Sequence, residues 1–204
     1  MIPASAGPES TLERAWFDRP SVELARDLLG ARLVHRTPEG VVGGRIVEVE
    51  AYRGPEDLAA HSARGRTARN AAMFGPPGHL YVYLIYGLHH CLNVVAGPGD
   101  KPEAVLVRAL EIDEGHELAR ARRGPRVADH RLAAGPGNVG QALGIDRRHN
   151  GLDLLDGPVW IAPRGVGRRP LMRRGPRVGV AYAGAWAARP LRFWIADDRH
   201  VSRR

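Results

Sequence analysis

Residues Gly78–Ala96 read GHLYVYLIYGLHHCLNVVA, and this stretch decides the fold class. His79 to Ile85 and Leu88 to Val95 are rich in β-branched and aromatic residues, with Tyr86-Gly87 between them. Two such runs joined by so few residues predict a β-hairpin. The tip is unusual. Tight hairpin turns favour Asn-Gly or Asp-Gly, whereas here Ile85 and Tyr86 put apolar bulk where the chain should meet water.

Working towards the N-terminus, Val41 to Glu50 follows Ala31 to Thr37 across Pro38-Glu39-Gly40, which reads as strand, turn, strand. Period-two alternation places Ile46, Glu48 and Glu50 on one face of the second strand, with Arg45, Val47 and Val49 on the other. Asp18-Arg19-Pro20-Ser21 precedes Val22 to Leu29, and Gly30 follows, predicting a short helix with start and stop signals. His61 to Asn70 lacks apolar periodicity and carries Arg64, Arg66 and Arg69, as expected of a basic loop.

Towards the C-terminus, Glu103 to Glu111 reads as a strand with Leu106, Arg108 and Leu110 on one face. Asp113 to Arg123 reads as a helix stopped by Gly124, and Val139 to Leu143 as another short one. Pro158–Ala162, Val178–Tyr182 and Leu191–Ala196 complete the predicted strands, and Arg164–Arg177 is expected to be a surface loop. Hairpins and short helices without strand–helix alternation indicate an α+β fold. Met1–Glu13, with Pro, Ser and Gly but no periodicity, is expected to be a flexible terminus ahead of a single domain over 14–204.

The 204 residues are 44% apolar, ample for a core, and no apolar run approaches the roughly 20 residues that span a bilayer. No basic start followed by an apolar stretch marks a secretory signal, so the expected location is cytoplasmic, with no membrane partner. Cys91 is the one cysteine, which excludes an internal disulfide and a cysteine-built zinc site. The net charge of +8 favours polyanions, although a solvated arginine-rich surface would give the same composition. Lys101 is the sole lysine, so nearly all the basic charge is arginine.

Two charges sit oddly. Arg108 lies between Leu106 and Leu110, and Glu50 lies in line with Ile46. Arg108 could reach solvent from an edge strand. Pairing with Glu50 would instead resolve both, and would keep Glu50 ionised as a general base requires. Tyr81, Tyr83 and Tyr86 lie on one hairpin, and Tyr52 follows Glu50 by two residues. Strand aromatics commonly serve the core. Tyr86, in the turn, instead suits insertion between base pairs, and Tyr52, His61 and Tyr83 could sandwich an extruded base.

Gly135, Gly137 and Gly140 spell G-x-G-x-x-G, yet the preceding Ala128–Ala134 is polar and basic rather than a buried strand, which argues against a dinucleotide fold. The turn with Gly137 and Asn138 could still offer amides to a DNA phosphate. His89-His90 reads as hairpin surface, since no partner spacing supports a metal site.

Several ordered motifs together resemble the alkyladenine (3-methyladenine) DNA glycosylase family. They are Glu50-Ala51-Tyr52, Gly54-Pro55-Glu56-Asp57, Ala60-His61-Ser62, the hairpin from Leu80 to Gly87 with Cys91-Leu92-Asn93, Leu106 to Glu111, Gly135-Pro136, Gln141-Ala142-Leu143 and Pro190-Leu191-Arg192-Phe193. The resemblance implies a mixed domain around a curved, mainly antiparallel sheet, without metal or cofactor, acting as a monomer on double-stranded DNA that contains damaged purines. It implies that Glu50 activates water with help from Arg108, that Tyr52, His61, Tyr83 and Asn93 form the base pocket, and that Tyr86 intercalates. Asn93 would crowd guanine's exocyclic amine. Arg64, Arg66, Arg69, Gly137 and Asn138 would meet the DNA backbone, holding the protein on the nucleoid.

The implied reaction is base release without strand cleavage. Lys101 and the N-terminal amine are the only amines that could act as a lyase nucleophile. A non-catalytic nucleic-acid binder would use the same aromatics and arginines, but it gains nothing from Glu50. An RNA-modifying or formyl-transfer accessory domain of similar sheet architecture is the other alternative.

Overall fold

Alternation in one long strand organises the molecule. The computed structural model describes residues 12–98, 101–165 and 169–203, so most of the Met1–Glu13 expectation lies outside the described residues. Two short helices, α1 (Arg14–Phe17) and α2 (Ser21–Leu28), precede β1 (Arg32–Thr37) and the 13-residue β2 (Gly40–Tyr52). The predicted hairpin is present as β3 (Leu80–Ile85) and β4 (His89–Ala96). There follow β5 (Glu103–Glu114), α3 (His116–Arg123), α4 (Pro136–Leu143), β6 (Val159–Ala162), β7 (Met172–Gly175) and β8 (Arg192–Ile195).

These strands form one eight-stranded sheet in the order β3-β4-β5-β2-β1-β6. β8 lies beside β2, and β7 beside β8. Every pairing is antiparallel, in keeping with the α+β expectation. β2 is long enough to use two partners on one edge: β1 along its first half and β8 at Glu48–Glu50. On the other edge it runs along β5.

One face of the sheet carries the main core. Val47, Val49 and Ala51 of β2 and Val105 and Val107 of β5 pack with Leu24 and Leu28 of α2, Ala119 of α3, and Val139 and Leu143 of α4. The predicted face assignments fail at two places. Register shifts fall between Ile46 and Glu48 and between Glu48 and Val49, opposite Ala109 and Val107. An extra residue at a bulge breaks the two-residue alternation. Ile46 and Leu110 therefore join the core with Val47, while Arg108 and Leu106 border a cavity.

Other expectations need correction. Asp113 and Glu114 extend β5 instead of opening a helix, because both carboxylates reach Arg32 of β1, at 2.6 and 3.0 Å. Gly115, at φ 70°, then ends the strand. Part of the basic stretch after Ala60 is a 3-10 turn, His61–Arg64. Arg164–Arg177 is not simply a surface loop: it contains β7 and ends in Arg177, which is buried. Val178–Tyr182 is no strand either. Gly179 at φ 77° interrupts extended backbone, and Ala181–Trp186 forms 3-10 turns.

The G-x-G-x-x-G spacing has a packing explanation. A Cβ at Gly137 would lie 2.8 Å from His89 Cβ, and one at Gly140 only 2.1 Å from the His90 carbonyl oxygen. These glycines let α4 lie directly on β4, so His89 and His90 are helix-packing positions.

Candidate active site

β2 delivers Glu48, Glu50 and Tyr52 to the face opposite the main core. Glu50 has no exposed surface, and its carboxylate lies between three groups. The Val178 amide donates to Oε1 at 2.7 Å, the Tyr52 hydroxyl donates to Oε2 at 2.9 Å, and Arg108 Nη1 stands 3.3 Å from Oε1. Burial raises the Glu50 pKa above the usual carboxylate range; the Arg108 charge, the Val178 amide and the Tyr52 hydroxyl pull it back. Arg108 pairs with Glu50 as anticipated, but it also pairs with Glu48, through Nε at 3.0 Å.

A cavity of about 590 Å³ opens over this pair. Such a volume suits a small ligand or an extruded nucleotide base. Glu50, Tyr52, His61, Tyr83, Asn93 and Arg108 all border it, as do Arg69 and Tyr86 at its rim. His61 Nδ1 lies 2.8 Å from the Tyr81 hydroxyl, the His61 and Tyr83 rings meet edge-on at 4.6 Å, and Tyr81 stacks on Tyr83 at 5.4 Å. Partial desolvation of its ring at the cavity wall, reinforced by the Arg69 charge, lowers the His61 pKa and favours the uncharged ring. Burial likewise raises the Tyr52 and Tyr83 pKa values, so both phenols stay neutral donors. Asn93 is buried, and its Nδ2 donates to the Tyr81 carbonyl at 3.1 Å, which fixes the amide.

The hairpin tip carries the other unusual feature. Leu88 N–H donates to the Ile85 carbonyl at 3.2 Å around Tyr86 and Gly87, which have φ of 52° and 68°. Tyr86 thus occupies a left-handed conformation that glycine or asparagine adopts more readily, and the residue is 86% exposed. Leu88 beside it is 78% exposed. Arg64 and Arg66 are exposed but lie away from the cavity lining, and so do Gly137 and Asn138. Asn138 Nδ2 instead donates to the Ala134 carbonyl at 2.7 Å.

Five residues at the site escaped the sequence reading as functional groups: Glu48, Arg177, Val178, Arg192 and Ser202. Arg177 forms a two-pronged, fully buried pair with Asp57, at 2.5 and 2.8 Å, and its guanidinium lies 4.7 Å from the Tyr52 ring centre. That pair holds the chain just ahead of Val178, whose amide meets Glu50. A visible signal existed for two of the five, since Glu48 is a charge between Val47 and Val49, and Arg192 one between Leu191 and Phe193.

A carboxylate beneath an aromatic cavity, backed by a guanidinium, is the arrangement that the motif resemblance implied. Residues 15–199 match the Methylpurine-DNA glycosylase (MPG) family. The chain belongs to the methylpurine-DNA glycosylase family. A relative from Methanoculleus marisnigri is 51% identical, covering 95% of this chain and 100% of its own. One from Streptomyces avermitilis is 48% identical, over 97% and 93%. One from Methanocella arvoryzae is 46% identical, over 95% and 96%. All three carry 3-methyladenine DNA glycosylase as a provisional name. Membership of the methylpurine-DNA glycosylase family makes the chain a DNA repair enzyme of the base-excision type, one that hydrolyses N-glycosyl bonds in DNA. No helix among the described residues is long and apolar enough to cross a membrane.

Proposed function

We propose that this glycosylase acts on duplex DNA, flips out an alkylated or deaminated purine, and hydrolyses its N-glycosidic bond without cutting the strand. The observation that carries this reading is the buried Glu50 carboxylate at the floor of an aromatic cavity. A base inside a duplex is out of reach, and extruding it costs a few kcal/mol. Tyr86, exposed on the strained turn, would fill the space left behind and offset that cost.

In the cavity, the neutral rings of Tyr52, His61 and Tyr83 would stack on the base. A cationic alkylpurine gains most from such electron-rich surroundings, and it already leaves as a neutral base. The fixed Asn93 amide would crowd the exocyclic amine that distinguishes guanine. A carboxylate accepts about four hydrogen bonds in all. With Val178 and Tyr52 as its hydrogen-bond donors, Glu50 keeps capacity for the proton of a water attacking the anomeric carbon, while Arg108 borders the same oxygen. Its negative charge also favours an oxocarbenium-like transition state.

The surroundings of Lys101, the sole lysine, support a reaction without lyase chemistry. Its Nζ lies 2.7 Å from Glu56 and 2.9 Å from Glu103, both of which raise its pKa and keep it protonated. A protonated amine is no nucleophile. Arg64, Arg66 and Arg69 would draw in the phosphate backbone.

The test is base release from a panel of single-lesion duplexes, followed on a gel with and without alkali. Wild type should release damaged purines and give strand breaks only after alkali, and Glu50→Gln should lose about 10²–10⁴-fold in release while still binding damaged duplex. Unchanged turnover in Glu50→Gln would leave a non-catalytic role for Glu50. Breaks without alkali would remove the monofunctional assignment.

A further inference from the structure

Glu50 is not the carboxylate to which Arg108 is most closely tied. Arg108 Nε donates to Glu48 Oε1 at 3.0 Å, whereas its approach to Glu50 is a 3.3 Å ion pair between Nη1 and Oε1. Glu48 is itself fully buried and held from three sides. Arg192 Nη1 donates to Oε1 at 3.0 Å, and the Ser202 amide donates to Oε2 at 2.7 Å. Arg108 Nη2 closes the ring on Ser202 Oγ at 3.3 Å. Arg192 also donates to the carbonyls of Pro176, at 3.1 Å, and Arg203, at 2.9 Å. Two carboxylates and two guanidiniums thus share one buried cluster at the cavity floor, in balance.

We infer that Glu48 is a positioning residue: it holds Arg108 by its Nε edge, so that the guanidinium borders Glu50 without saturating it. The inference rests on reading Glu50 as the water-activating base. Guanidinium and carboxylate match as a two-pronged pair when nothing prevents it. Among the described residues only Glu48 and Glu50 form ion pairs with Arg108. Without Glu48, Arg108 would close on Glu50 and occupy the lone pairs that a reacting water needs. Arg192 serves the same end from the other side, since it offsets the Glu48 charge and anchors the chain at Pro176, two residues before Val178.

The groups that set the ionisation of Glu50 are Tyr52 and Glu48 on β2, Arg108 on β5, and the Val178 amide; Tyr83 on β3 and Cys91 on β4 also feel its charge. Loss of the Glu48 charge and closure of Arg108 both push Glu50 the same way, towards a lower pKa and a weaker base. Glu48→Gln should lower single-turnover kcat about 10²-fold, the scale of a misplaced catalytic group. Binding of damaged duplex should stay within about twofold, and the acidic limb of the kcat profile should move down by about one pH unit.

Glu48→Gln leaves two arginines facing one carboxylate, so Glu48→Gln/Arg192→Gln, which restores charge balance, is the second variant. It should fold and keep the low kcat and the shifted limb. Wild-type kcat, or a limb that stays put or moves up, in a folded variant overturns the inference. Glu50→Gln separates the two claims. If it retains turnover, the base assignment fails; if it is inactive while the Glu48 variants behave as wild type, only the positioning role fails.

Discussion

The two faces of β2 make opposite use of adjacent residues. Val47, Val49 and Ala51 pack beneath the helices in a dry apolar core, while Glu48, Glu50 and Tyr52 join a network of buried charges under an open cavity. Backbone pairing with β5 and β8, across the bulges that flank Glu48, holds both sets in place. Core packing therefore supplies rigidity, and the opposite face uses it to keep charges where they would otherwise not stay. A carboxylate without exposed surface persists because the strand that carries it cannot move and its partners are fixed as well.

Neighbouring substitutions should separate the faces most sharply. Glu50→Gln should cost about 10²–10⁴-fold in base release per folded molecule. Val49→Ala, one residue away, should cost about 2 kcal/mol of stability. It should leave the turnover of folded molecules near wild type. Denaturant titration and single-turnover assays on both variants check the pair. A large activity loss in Val49→Ala without a stability loss would mean that the core face is not merely a support.

The faces were unequally legible in the sequence. The hairpin, the strand pair at 32–52 and the short helices are local patterns, and the alternation of β2 already set Glu48 and Glu50 apart from Val47 and Val49. Tyr86 could be singled out because its place in the turn conflicts with its chemistry. The bulges have no comparable local signature, so strict alternation puts Ile46 and Leu110 on the wrong face. The groups that complete the site come from far along the chain: Val178 donates to Glu50 across 128 residues, and Ser202 to Glu48 across 154. A backbone amide has no residue type to betray it. Arg177 looked like one more arginine in a basic stretch until its pairing with Asp57 placed it.

Ionisation of the charged face offers the next contrast. Activity should rise with pH as Glu50 loses its proton, and that limb should lie above the usual carboxylate range because burial raises the pKa. Arg108→Met removes the cation that stabilises the charged form, so Glu50 should hold its proton to higher pH and the limb should move up. That direction is opposite to the one expected for Glu48→Gln. A pH profile of single-turnover kcat for both variants is the check; limbs moving together would show that Arg108 and Glu48 do not act on Glu50 in opposite senses.

On the core face, the close approach of α4 to β4 can be tested without touching the cavity floor. Gly140→Ala would set a methyl group 2.1 Å from the His90 carbonyl oxygen, which forces the helix and strand apart. Overpacking of this kind costs about 1–3 kcal/mol. The expected result is a lower denaturation midpoint with an unchanged pH limb. An unaffected midpoint would mean that α4 shifts freely and that the glycine spacing has another cause.

The smallest effect expected is also the one that runs against the usual direction. Tyr86→Asn would create Asn-Gly at a turn whose two central residues have φ of 52° and 68°, the combination that such turns accept most readily. Relief of the left-handed tyrosine should stabilise the fold by about 0.5–1 kcal/mol. Damaged-base release should nevertheless fall, because the ring that fills the vacated stack is gone, while affinity for undamaged duplex changes little. Denaturation and lesion-binding measurements on this one variant therefore read two sides of a single position. If stability rises and extrusion weakens, the strain at Tyr86 is tied to its role at the DNA. If stability falls instead, the ring supports the hairpin, and its exposure is no argument for a wedge.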